Sequence, residues 1–282
     1  MRISWSGLLR WEKCHRMDSL IRAGATQADL NKRNFLTGNI VDNAMRKWLD
    51  QDHPEPGRLV ELADEMFEFW TTNGETIKWK GIEAQDRAKV LSDAKEALTR
   101  LEPWLIEHVI PHAYQPEARG WAVVQVPGVD GELVEVELFY AIDILVRLED
   151  GSFWIIDLKT TRNEQYVRGT TLAQLPYYAL VISAAFGIPL QEIKQVSFLT
   201  PLCSQMLVSV EPDAEDYRYL LQRITSYVHG VQSQDWSMRP TKDSVCDWDC
   251  SVKSSCPRGK MPKADSDTGR VDFMQVAKSW KG

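Results

Sequence analysis

The chain has 282 residues, 44% of them hydrophobic and 26% charged, the balance of an ordinary globular protein rather than a disordered or fibrous one. Lys+Arg 33 against Asp+Glu 40 leave a formal net charge of −7, so an anionic partner would have to be met by a local basic patch and not by the field of the whole chain. No apolar run is long enough to span a bilayer, and the start MRISWSGLLRWEKC lacks the apolar centre of a signal peptide, so the expected setting is cytoplasmic, reducing and free of membrane.

Residues 1–53 contain two predicted helices, from Ser6 to Ala23 and from Thr37 to Asp50. In the second, Ile40, Val41, Ala44, Met45, Trp48 and Leu49 recur at helical spacing, and Thr37 is placed to cap the start. From Pro54 to about His112 the pattern stays helical, with no Gly-rich phosphate loop and no internal repeat, which marks 54–115 as a helical insertion. The character changes after Pro116. Trp121–Val126, Leu133–Phe139, Ile142–Leu148 and Phe153–Leu158 are short, rich in β-branched and aromatic residues, and separated by turn signals, as expected of an antiparallel meander. A helix over Leu172–Phe186, strands near Val196–Thr200 and Met206–Val210, and a helix from Pro212 to about Val231 complete a mixed α/β core over 116–235. The last segment, 236–282, has little periodicity and should fold around a metal or not at all.

That segment holds three of the five cysteines, Cys246, Cys250 and Cys256. An odd number of cysteines in a reducing compartment argues against a disulfide framework. Three thiolates on a short loop can converge on one soft metal, and a fourth sulfur, from Cys14 or Cys203, would close a zinc site or an iron–sulfur cluster. The alternative is that Cys14 and Cys203 are small buried hydrophobes, the reading preferred for Cys203 beside Leu202.

The stretch from Ile142 to Leu158 is a hairpin that can be tested by counting. If Glu149, Asp150 and Gly151 form a three-residue loop, with Gly151 in the left-handed conformation, Leu148 faces Ser152 and Asp143 faces Asp157. Lys159 then shares the face of Asp157, and two carboxylates and an ammonium enter one space. A two-residue loop would put the carboxylates on opposite faces. Both strands are apolar apart from these groups, and a buried, opposed pair of anions needs a cation between them. Mg²⁺ or Mn²⁺ suits carboxylate oxygens and accepts phosphate oxygens, so phosphodiester hydrolysis with Lys159 beside the attacking water is the chemistry implied. An internal salt bridge between Lys159 and one aspartate is the plainer alternative.

Asp143 followed by Asp157-Leu158-Lys159 after a hydrophobic strand resembles the core of the PD-(D/E)XK nucleases, specifically the RecB-like branch that includes CRISPR-associated adaptation nucleases and the AddB nuclease. Gln174-Leu175-Pro176-Tyr177-Tyr178 is similar to that branch's Q-L-x-x-Y motif, with Gln174 and Tyr178 facing the active site. Pro176 then belongs in the first helical turn, with Thr171 or Leu172 as cap, and Tyr177 in the core. Gly38-Asn39-Ile40-Val41-Asp42 falls where the family has G-x-x-x-H, with Asp42 in place of the metal-binding histidine. Asp42 can bind Mg²⁺ or Mn²⁺, or it can form a surface pair with Arg46. Glu135 or Glu137 could also join the site. Ser4-Trp5-Ser6 and Cys14 are similar to the start of the iron–sulfur members, in which one N-terminal cysteine joins three near the C-terminus.

The resemblance implies a restriction-endonuclease-like mixed sheet flanked by helices, with an N-terminal helical region and a C-terminal iron–sulfur segment. It implies Lys159, Asp143, Asp157, Gln174 and Tyr178 as catalytic residues, with Asp143, Asp157, Leu158 and Asp42 around Mg²⁺ or Mn²⁺. A [4Fe-4S] cluster on Cys14, Cys246, Cys250 and Cys256 would fasten the chain ends together, with structural Zn²⁺ as the alternative because Cys246 and Cys250 are one residue further apart than is usual. The implied activity is a metal-dependent DNA exonuclease, acting on single-stranded ends in recombination, repair, replication or CRISPR adaptation beside the proteins of those pathways. The alternative is a weak or inactive nucleic-acid-binding module on the same scaffold.

Local charge fits a DNA partner: residues 1–50 hold nine Lys/Arg against five Asp/Glu, residues 246–282 hold seven against five, and Arg162 and Arg168 extend a basic rim past Lys159. Other sites fare worse. His108 and His112 have the spacing of a zinc pair, but Pro111 breaks the helix between them and no glutamate motif follows. No P-loop, G-x-S-x-G or dinucleotide fingerprint occurs.

Overall fold

The computed structural model describes residues 1–25, 32–72, 84–168, 172–235, 250–252 and 256. They fall into two compact units, residues 1–9 with 31–235, and residues 10–30 with 236–282.

The larger unit is built on one mixed sheet. Its first strand, β1 (Arg2–Ser4), is too short to show a period and is absent from the sequence expectation. The Ser4 hydroxyl accepts the Gly7 N–H at 3.1 Å, which caps helix α1 (Trp5–Lys13). Helix α2 (His15–Arg22) follows after a break at Cys14, so the single predicted helix from Ser6 to Ala23 is two. Helix α3 (Lys32–Leu49) buries the expected stripe from Ile40 to Leu49, but it begins before Thr37. Thr37 therefore lies inside the helix, 4% exposed, and caps nothing. Helices α4 (Arg58–Thr72) and α5 (Ala84–His108) supply the helical insertion.

Strands β2 (Ala113–Pro127) and β3 (Leu133–Arg147) pair antiparallel from Ala113↔Arg147 to Pro127↔Leu133. This corrects two expectations. The separate strands Leu133–Phe139 and Ile142–Leu148 are one, because β2 pairs along the whole of it. The first strand begins at Ala113 rather than Trp121, and its Pro116 is tolerated because β2 pairs with β3 alone. Strand β4 (Phe153–Leu158) returns antiparallel to β3. Short helix α6 (Glu164–Arg168) and helix α7 (Gln174–Phe186) then cross over to β5 (Ile193–Leu199), parallel to β4, and β6 (Leu207–Val210) closes the sheet antiparallel to β5. Helix α8 (Ala214–Gln232) starts on an Asp213 cap whose carboxylate takes the N–H groups of Glu215 and Asp216 at 2.8 and 2.9 Å.

Since β2 covers one edge of β3 throughout, β1 at Glu137–Phe139 and β4 at Ile144–Arg147 share the other edge end to end. Ile144, Val146, Trp154, Ile156 and Leu199 pack into one core with α3, α4 and α5. Asp143, Leu145, Ile155 and Asp157 alternate with these residues and so occupy the opposite face. The mixed α/β architecture with helices around a central sheet is thus as expected, with a three-strand meander in place of four. No helix among the described residues is long and apolar enough to cross a membrane.

The smaller unit joins α2 to the C-terminal segment: Cys14, Met17 and Val252 form a buried cluster against which Cys250 packs. Asp18 in α2 is fully buried and is bonded by Arg22 Nε at 2.7 Å.

Candidate active site

The turn between β3 and β4 sets the site. Gly151 has φ +84°, a conformation open to glycine without strain, and Leu148 N–H donates to Ser152 O at 2.8 Å. The register is Arg147↔Phe153 through Ile144↔Ile156, and the next step along it is Asp143 opposite Asp157. The three-residue loop is the one present. Beyond that step, the Leu158 N–H donates to Asp143 Oδ2 and the Lys159 N–H donates to Leu199 O at 2.9 Å, so side chain and neighbouring strand hold the turn-off of the Asp157-Leu158-Lys159 segment.

Asp157 is 4% exposed. Its Oδ1 accepts the Tyr178 hydroxyl at 2.8 Å, and the Tyr178 oxygen accepts Gln174 Nε2 at 2.6 Å. Gln174 and Tyr178, one turn apart on α7, therefore form a relay ending on the carboxylate. Ala173, with no side-chain bond, sits at the cap of α7; Leu172 does not cap it, Thr171 is outside the described residues, and Pro176 falls in the first turn. Tyr177 is fully buried and donates to Phe139 O at 2.7 Å, a core role. Asp157 Oδ2 is buried and meets the Lys159 ammonium as an ion pair.

Helix α3 completes the site from the other side. At Gly38 an added Cβ would lie 3.2 Å from Thr160 Oγ1, so the glycine admits the close approach of α3 to the residue after Lys159. One turn on, Asp42 comes near enough to Asp143 for the two carboxyls to affect each other's ionisation. The surface pair of Asp42 with Arg46 is not the arrangement found: Arg46 bonds Glu117 and, at 2.7 Å, Asn43 Oδ1.

The electrostatics are those of excess negative charge. Burial first, then the charges of Asp157 and Asp42, push the Asp143 carboxyl well above its ordinary range, although the residue keeps a partly open face. Burial also raises Asp42, which Arg46 pulls down and Glu117 pushes up. Burial works against the Lys159 ammonium, but Asp157 and Asp143 outweigh it and hold the group charged. Burial and then Asp157 raise the Tyr178 hydroxyl, which stays a donor. The internal salt bridge therefore exists between Lys159 and Asp157, yet the neighbouring Asp42 and Asp143 carboxyls both stay raised. Carboxyls that oppose each other's ionisation in this way suit a cation between them.

No three carboxylate, imidazole or thiolate groups among the described residues stand close enough to enclose a metal unaided. The donors nonetheless fit a hard, hydrated cation: Asp143 and Asp157, the main-chain carbonyl of Leu158 and, nearby, Asp42, with solvent for the remainder. Glu135 and Glu137 do not join them; Glu135 is exposed and Glu137 pairs with Arg2 at 2.9 Å. Arg162 and Arg168 do not form a free rim either, since Arg162 pairs with Asp93 and Glu96, and Arg168 bonds Gln205. Sequence reasoning missed Glu117. Its signal was the β2–β3 register, in which it falls opposite Asp143 between Pro116↔Ile144 and Ala118↔Ile142.

Of the cysteines, Cys203 is buried in the larger unit with its Sγ 3.1 Å from Thr161 O, and it behaves as a small core residue. Cys14, Cys250 and Cys256 belong to the smaller unit, and Cys246 lies outside the described residues.

Two examples stand among the solved structures similar to this chain. The crystal structure named "Putative exonuclease" from Eubacterium rectale has 13% sequence identity and TM-score 0.51, covering 98% of this chain and 92% of that one. The crystal structure of SSO0001 has 13% identity and TM-score 0.38, covering 80% of this chain and 98% of that one. No curated protein matches the sequence significantly. The model of the PD-(D/E)XK nuclease superfamily matches residues 4–257, nearly the whole chain and every residue of the carboxylate–lysine site, and the protein belongs to that superfamily.

Proposed function

We propose that the protein is a divalent-metal-dependent DNA exonuclease of the RecB-like branch, acting on single-stranded ends in recombination, repair, replication or CRISPR adaptation. The observation that carries this reading is the opposition of Asp143 and Asp157 on neighbouring strands with Lys159 against Asp157. The name of the Eubacterium rectale structure, "Putative exonuclease", and its likeness in fold support it.

In this reading Asp143, Asp157, the Leu158 carbonyl and Asp42 hold Mg²⁺ or Mn²⁺, which supplies Lewis-acid polarisation of the phosphate and a counter-charge for the transition state. Lys159, held as ammonium, donates hydrogen bonds that orient the attacking water and offset charge on the phosphoryl oxygens. Tyr178 keeps its proton and, propped by Gln174, fixes the Asp157 rotamer so that the remaining oxygen faces Lys159. The water oxygen forms the new bond to phosphorus, the bond to the leaving sugar oxygen breaks, one proton of the water passes to solvent, and the leaving oxygen takes up a proton from solvent.

The test is digestion of end-labelled single- and double-stranded DNA with Mn²⁺ or Mg²⁺, comparing wild type with Asp157→Ala. Release of nucleotides one at a time from single-stranded ends, absent without metal and absent in the variant, is the expected result. Strand binding with no metal-dependent cleavage of any end by the wild type would place the protein among inactive binding modules.

We assign Cys14, Cys246, Cys250 and Cys256 to a structural [4Fe-4S] cluster. The packing of Cys14 and Cys250 against the same small core supports this assignment. Anaerobically purified protein should contain about four irons per chain and absorb in the visible, and Cys14→Ser should lose both. Zinc with no visible absorbance would replace the cluster with a structural zinc site.

A further inference from the structure

Arg46 stands four residues after Asp42 on α3, the spacing at which a carboxylate and a guanidinium on one helix normally pair. Here the guanidinium is turned away to Glu117 and to Asn43 Oδ1 at 2.7 Å. Glu117 reaches it from an unusual backbone: φ is +47° in mid-strand, with β2–β3 pairing intact on both sides. For a residue with a Cβ that conformation costs about 1 kcal/mol or more, and it persists because the flanking register enforces it. Glu117 also lies 3.5 Å from Arg119 Nη1, so its carboxylate is held between two guanidinium groups. The result is that the ion pair of Arg46 goes to Glu117, while Arg46 acts on Asp42 only through its charge.

We propose that Glu117 is a positioning residue of the metal site, holding Arg46 off Asp42 so that the Asp42–Asp143 pair is left open to a divalent cation. This rests on the metal-dependent reading given above. Without Glu117, Arg46 keeps Asp42 as its i, i+4 carboxylate on the same helix, and a guanidinium on Asp42 competes with the metal for the same oxygens.

The test is Mn²⁺ binding by titration calorimetry on the full chain, in the absence of DNA, for wild type, Glu117→Ala, Arg46→Ala and the double variant. Glu117→Ala should bind Mn²⁺ about fivefold more weakly, the factor expected of a partly exposed ion pair redirected onto a ligand. Arg46→Ala should bind as tightly as wild type or more tightly. The double variant should come within about twofold of Arg46→Ala, because no guanidinium remains to be released. Strictly additive effects would indicate only a change in long-range charge and overturn the proposal, as would a Glu117→Ala affinity equal to wild type. Glu117→Gln, which keeps the shape and removes the charge, should shift affinity in the same direction if the alanine variant folds poorly. Wild-type protein that binds no Mn²⁺ would remove the metal reading itself; wild-type binding with an unaffected Glu117→Ala removes this inference alone.

Discussion

Replacing Lys159 by alanine is expected to lower metal-dependent cleavage by roughly 10³-fold, the scale lost when one preorganised donor to the transition state is removed. The same change should cost about 3 kcal/mol of stability, because it leaves the Asp157 carboxylate buried with its Oδ2 uncompensated. The two effects are separable. Single-turnover cleavage of end-labelled DNA reads the first, and urea unfolding of metal-free protein reads the second. A Lys159→Ala protein that cleaves within tenfold of wild type would remove Lys159 from the chemistry. The ion pair should persist through neutral pH. The Lys159 pKa is raised on folding, so its contribution is complete below the unfolded value and is lost only as pH climbs through the folded one.

Asp143→Asn should move function and stability in opposite directions. Asparagine keeps an oxygen to accept the Leu158 N–H but removes a charge set against Asp157 and Asp42. Cleavage should fall to background, while the metal-free fold gains about 1–2 kcal/mol near neutral pH. The sign follows from linkage. A carboxyl whose pKa is raised on folding favours the folded state while protonated, and that favour is lost as pH rises from the unfolded range through the folded pKa. The advantage of Asp143→Asn over wild type should therefore grow across that interval and then level off. Added Mn²⁺ should raise the melting temperature of wild type and leave the variant nearly unchanged. A variant less stable than wild type throughout would mean that the opposed carboxylates are not in conflict.

The part of the site that sequence revealed is the part governed by local counting. Gly151 fixed the loop length, loop length fixed the register, and register opposed Asp143 to Asp157; Gln174 and Tyr178 came instead from the resemblance to the Q-L-x-x-Y motif, and they are bonded to each other one turn apart. What escaped depended on partners distant in the chain. The strand at Arg2–Ser4 pairs with Glu137–Phe139 and carries no signal of its own. Tyr140 and Ala141 looked like a break in β3 because nothing local shows that β2 runs alongside them. With the first strand expected only from Trp121, Glu117 drew no attention, while Glu135 and Glu137 on the next expected strand did. Arg46 was visible only as a helix neighbour of Asp42, since its true partner lies 71 residues away.

Because β3 is flanked by β2 along one side and by β1 and then β4 along the other, the order of synthesis bears on when the site comes into being. The β2–β3 hairpin closes through a short turn, so a nascent chain brings Glu117 and Asp143 together early, long before α7 with Tyr178 has left the ribosome. The bond from Tyr178 to Asp157 can form only once that helix has docked on the sheet, so the order in which the elements pack sets when the Gln174–Tyr178–Asp157 relay is complete.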